Sequence, residues 1–135
     1  MMKISKLLCK SFALLSLLLI ACSNTDDIQQ KVTEIDASQL KVRDPFIFYD
    51  ADTDYYYLHV NGTLKVKSYK SKDLLTWQEN GYSFLPSAGF WGKEDFWAPD
   101  FYKYEDKYYL FITLSAPGVK RGTSVLVSDR VTGKI

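Results

Sequence analysis

From residue 42 to residue 128 the apolar residues arrive in short bursts separated by polar, turn-forming ones, and no stretch sustains the period of about 3.6 residues that a helix needs. Such bursts predict strands near residues 45–49, 55–61, 64–70, 77–84, 100–104, 107–114 and 123–128. The segments between several of them are turn-like: "DADTD" at 50–54, "NGT" at 61–63 and "YED" at 104–106 supply the Asn, Asp and Gly that hairpins use. Ten Tyr and eight Phe fit the same reading, because aromatic side chains favour the pleated, half-buried surface of a sheet. The expected fold class is all-β.

The pattern is different before residue 40. Lys3, Lys6 and Lys10 precede or flank the apolar run "SFALLSLLLI", which is too short to span a bilayer, and this combination predicts an export signal. The run ends in Leu19, Ile20, Ala21 and Cys22, which resemble the lipobox of bacterial lipoproteins. That resemblance implies a signal peptide over residues 1–21, cleavage before Cys22 and lipidation of its thiol. Residues 23–38 are polar and read as a tether, so residues 22–40 are expected to link the lipid anchor to a folded domain over 41–135. Asp26 and Asp27 resemble the acidic tags that send some lipoproteins to the outer surface. The expected location is exported and lipid-anchored to the bacterial outer membrane, on its periplasmic or cell-surface face.

Charge and cysteine content narrow the classes further. The second thiol, Cys9, lies in the leader, so the processed chain has neither an intrachain disulfide nor a cysteine metal site. Removing the three leader lysines from the 17 basic residues leaves 14 against 16 acidic ones, a net charge of −2. No basic surface for a nucleic-acid partner is expected.

The strand pattern also repeats. "RDPFIFYDADTDYYYLHV" at 43–60 and "WAPDFYKYEDKYYLFIT" at 97–113 align Pro45 with Pro99 and Tyr56-Tyr57-Leu58 with Tyr108-Tyr109-Leu110, with two extra residues in the first turn. A repeat of about 50 to 55 residues with roughly four strands per copy is the spacing of propeller blades. The first blade is expected over about 42–86 and a second, incomplete one over about 96–135. Blades bury their faces against neighbours, so the chain is expected to be a fragment of a larger propeller.

"VRDPFIFYD", "YYYLHV", "SKDLLTW" and "FWAPDFYKYEDKYYLFIT", in this order and spacing, resemble the N-terminal two blades of the family 43 glycoside hydrolases. The resemblance implies a five-bladed β-propeller of which about two blades are present here. It also implies inverting hydrolysis of α-L-arabinofuranosides or β-D-xylosides in plant cell-wall oligo- or polysaccharides. In that chemistry one carboxylate activates water while a second carboxylic acid protonates the leaving oxygen. The aspartate of the RDP motif is the general base, which maps onto Asp44. The general acid and a further carboxylate that tunes its pKa come from later blades, so the fragment alone is expected to be inactive.

The residues around Asp44 suit that role. Pro45 is expected to bias Asp44 toward an extended backbone that aims its carboxylate, and Arg43 would keep it ionised if the two are close in space. From chemistry alone, an Asp44 that caps a turn and pairs with Arg43 or a lysine is the alternative, and the family pattern is what favours the base. Trp97 is the counterpart of Arg43, and the resemblance places it at the wall of the subsite for the cleaved sugar; a tryptophan packed between blades is the alternative. Asp100 is expected to support the site or touch substrate, and Phe90 and Trp91 to contact the leaving group from a rim loop. Glu94 and Asp95 are expected to be solvated. The lone His59 reads as a half-buried packing residue, and "SAPGVKRG" at 115–122 as a turn with basic tips. No cofactor is expected; the resemblance leaves room for a structural calcium ion at the propeller axis of the full-length protein. A glycan-binding lipoprotein without catalysis is the competing reading, and it has no need of a carboxylate at position 44.

Overall fold

The computed structural model describes residues 33–132, which form two antiparallel sheets. The first contains β1 (Glu34–Asp36), β2 (Phe46–Asp50), β3 (Tyr55–Gly62), β4 (Lys65–Ser71) and β5 (Thr76–Phe84), in the order β1-β5-β4-β3-β2. The second contains β6 (Glu94–Tyr104), β7 (Lys107–Ala116) and β8 (Val119–Ser128), in chain order. The fold is all-β, and seven of the eight strands overlap the expected ones.

Three differences have physical reasons. Residues 34–36, expected to lie in a polar tether, belong to the first sheet: β1 pairs with β5, setting Ile35 opposite Trp77, and Ala37 N–H donates to the Leu75 carbonyl at 2.8 Å. A three-residue strand in a polar stretch is too short to show a period, yet it satisfies the open edge of β5. Leu40 and Val42, just beyond it, cover Leu58, Val60 and Trp77. Second, β6 starts at Glu94 instead of residue 100, with register shifts on both sides of Trp97 that let the strand pass through Pro99. Third, the turn expected over 115–122 shrinks to Pro117-Gly118. Gly118 has φ 75°, so proline followed by left-handed glycine gives the residue pair of a type II turn, and Val119 already belongs to β8.

The sheets pack face to face through Tyr57, Val66 and Phe84 from one and Phe96, Phe101, Leu110, Ile112 and Leu114 from the other. Burial of each such side chain contributes about 1.5–3 kcal/mol. His59 is fully buried, not half-buried as expected; its ring stacks on Phe101 with centroids 4.1 Å apart and planes 13° from parallel. Its Nδ1 lies 2.5 Å from Ser83 Oγ, whereas Nε2 has no partner among the described residues. A buried carboxylate joins the same interface: Asp50 accepts hydrogen bonds from Thr53 Oγ1 at 2.8 Å and, across the sheets, from Tyr108 Oη at 3.0 Å.

Candidate active site

The proline motifs place the site. Asp44 and Ala98 each precede a proline, Asp44 two residues before β2 and Ala98 within β6, and both have left-handed backbones, with φ of 47° and 48°. This corrects the expectation that Pro45 would hold Asp44 extended. Asp44 is left-handed instead, a conformation that Asp tolerates better than most residues.

At Asp44 the carboxylate is held from two sides. Asn61 Nδ2 donates to Asp44 Oδ2 at 2.9 Å, and Arg43 Nε lies 3.5 Å from the same oxygen. Asn61 is on β3, and the β2–β3 register that sets Phe46 opposite His59, continued outward, sets Asp44 opposite Asn61. The Asp44 side chain remains 41% exposed, so water can reach it.

Trp97 stands next to this pair. The Arg43 guanidinium lies 5.7 Å from the indole centroid, and that of Arg121, on β8, lies at 4.1 Å. Arg121 is itself anchored: its Nη2 donates to Asp95 Oδ2 at 2.7 Å, and Ser115 Oγ donates to the same oxygen at 2.6 Å. These bonds, that from Arg121 first, hold the Asp95 carboxyl below the usual carboxylate range. Asp95 was expected to be solvated, and is instead the acceptor of a three-strand row. Side-chain bonds join the three: the β6–β7 register pairs Ser115 with Glu94, the neighbour of Asp95, and Arg121 lies where the β7–β8 register shifts.

An open cleft of about 560 Å³ is lined by Lys41, Arg43, Asn61, Lys67, Asp95 and Trp97, among others. Asp44 sits at its margin, bonded to two of the lining residues. Arg43, Asp44 and Trp97 are thus brought together. Asp100 is not with them: it lines a separate, mainly tyrosine-walled groove on the other face of the second sheet, with Tyr102, Tyr104, Tyr109 and Phe111. Trp91 is exposed beside Phe90, and Phe90 packs on Phe84. Cys22 and the leader lie outside the described residues. Among the described residues no group of three or more His, Cys, Asp or Glu is arranged to hold a metal ion.

The described residues place one exposed carboxylate and one engaged carboxylate at the cleft. Asp44 is a water-accessible carboxylate fixed by a neutral amide and a cation, which suits a base. Asp95 is the other carboxylate of the cleft, but it is engaged by Arg121 and held ionised, which makes it a poor proton donor.

Comparison with known proteins gives the family. Residues 37–134 match the model of glycosyl hydrolases family 43. The chain belongs to this family. Among solved structures, an endo-arabinase from Bacteroides thetaiotaomicron VPI-5482 is 60% identical, with a TM-score of 0.69 over 71% of this chain and 34% of that one. An α-L-arabinanase mutant from Cellvibrio cellulosa is 26% identical, with a TM-score of 0.55 over 74% of this chain and 31% of that one. A thermostable family-43 glycoside hydrolase at 23% identity matches in fold, with a TM-score of 0.60 over 68% of this chain and 30% of that one. No curated protein sequence matches the chain. The two sheets are therefore blades of the family's five-bladed β-propeller, and the chain spans about a third of the length of the structures it resembles.

Sequence reasoning missed Asn61, Arg121 and the role of Asp95. Asn61 could have been found by counting outward from the "DADTD" hairpin, since the register fixes its partner. Arg121 could not, because it reaches Asp95 across β7, where both strand pairings carry register shifts.

Proposed function

We propose that the protein is an arabinan-degrading glycosidase in which Asp44 is the general base. The observation that carries this is the Asp44–Asn61–Arg43 constellation at the mouth of the first blade, beside the indole of Trp97. In the proposed reaction Asp44 takes a proton from water as the water oxygen attacks the anomeric carbon, with inversion. A carboxylic acid from a part of the propeller outside this chain protonates the departing sugar oxygen. Trp97 presents flat apolar surface to the sugar ring at small entropic cost. The likeness to arabinan-cleaving enzymes, 60% identical in one case, supports arabinan over xylan as substrate.

The test is hydrolysis of arabinan and xylan by the full-length protein from the intact gene, with the configuration of the first product followed by proton NMR. Arabinan cleavage with inversion is expected; xylan cleavage alone, or retention, overturns the reading. Binding of arabinan without any hydrolysis selects the glycan-binding alternative. The lipobox-like "LIAC" further supports a lipid anchor on Cys22 and an outer-membrane location. Cys22→Ala should then move the protein from the membrane fraction to the soluble one, and retention in the membrane fraction counts against the anchor.

A further inference from the structure

We propose that Arg121, anchored by Asp95, is a positioning residue that sets the sugar-facing plane of Trp97. The inference rests on the reading of Trp97 as a wall of the sugar site. Trp97 and Asp95 both line the cleft, whereas Arg121 does not, so the guanidinium 4.1 Å from the indole centroid backs the ring from behind. At that distance a guanidinium plane covers one aromatic face through cation–π attraction and leaves the other for ligand. The anchor gives the contact direction. Asp95 Oδ2 takes hydrogen bonds from both Arg121 and Ser115, so the guanidinium is held by β6 and β7 while it reaches from β8.

This support compensates for a weakness in the strand. Trp97 is paired with Thr113, but this rung stands alone between two register shifts of β6 and directly precedes the left-handed Ala98. Arg121 and Asp95 add a second hold on the indole, through side chains of neighbouring strands. The Arg121 side chain is 48% exposed, which separates this role from a packing role.

The test is a double-mutant cycle in the full-length protein with arabino-oligosaccharides as the probe. Arg121→Ala is expected to raise KM about three- to tenfold, the range a partly shielded cation–π contact supplies, with kcat nearly unchanged. In a Trp97→Ala background the same replacement should change nothing further. An equal effect in both backgrounds, an unchanged KM, or a loss confined to kcat overturns the proposal. Asp95→Asn, which leaves Arg121 but weakens its anchor, should shift KM in the same direction by less, and no shift counts against the anchor. The Nε1–H NMR signal of Trp97, assigned by its disappearance in Trp97→Phe, should move in Arg121→Ala. It decides the contact even if wild-type protein fails on arabinan, an outcome that would refute the proposed function alone; an unmoved signal refutes the contact.

Discussion

Asp44 in the first blade and Ala98 in the second hold the same backbone position. Each precedes the proline that the repeat aligns, and each is left-handed, with φ of 47° and 48°. The hairpins that follow agree as well, since Asp54 and Glu105 turn the chain with φ of 55° and 53°. The side chains differ completely: Arg43-Asp44 in one blade, Trp97-Ala98 in the other. The blade repeat thus dictates the backbone, and chemistry is placed on it one side chain at a time.

The largest effect should separate those two positions. Asp44→Asn keeps the shape of the side chain but removes the base, and should lower arabinan hydrolysis by about a thousandfold while sugar binding persists. A residual rate near wild type would show that Asp44 only caps its turn. Replacement of Ala98, which carries no polar group, should leave the rate in place.

A second contrast lies one strand further out. His59 and Phe111 are equivalent in the repeat, opposite Phe46 and Asp100 respectively. His59 is sealed against Phe101 of the next blade, whereas Phe111 lines an open groove. Burial lowers the His59 pKa from 6.5 to about 3. The unfolded chain therefore takes up a proton below pH 6.5 that the folded one refuses until about pH 3. Stability from this site is full above pH 6.5 and falls as the pH drops through that window, by about 2 kcal/mol at pH 5. Asp54, Asp73, Asp95 and Asp129 have lowered pKa values, so their losses fall below the ordinary carboxylate pKa of 3.8. Urea unfolding at pH 7.5 and pH 5 should show the loss in wild type and not in His59→Phe, which can keep the stack. An equal loss in both would assign the pH dependence elsewhere.

The same contrasts explain what could be read before folding. Strand positions and the blade repeat were legible because alternation and turn residues are local. The pairing of Asp44 with Trp97 was legible only through the family pattern. The left-handed φ of Asp44 was not, because proline usually pushes its predecessor toward extended backbone. Nor was the burial of His59, which depends on Phe101 more than forty residues away. Asp95 escaped because its partner Arg121 lies across two strand pairings and a bulge.

The smallest effect tests the shared backbone itself. Ala98 has no short polar side chain with which to stabilise a left-handed turn, and it is exposed, so no packing offsets the strain. A left-handed alanine costs about 1–2 kcal/mol relative to its preferred conformation, and glycine escapes this at the expense of a freer unfolded chain. Ala98→Gly should therefore stabilise the protein by a few tenths to about 1 kcal/mol in urea unfolding, with arabinan hydrolysis unchanged. Asp44→Gly should relieve less strain, because aspartate tolerates the conformation better than alanine and is tied here to Asn61 and Arg43. If Ala98→Gly destabilises the protein, the left-handed turn is not what the two blades share, and the alignment of Asp44 with Ala98 loses its physical basis.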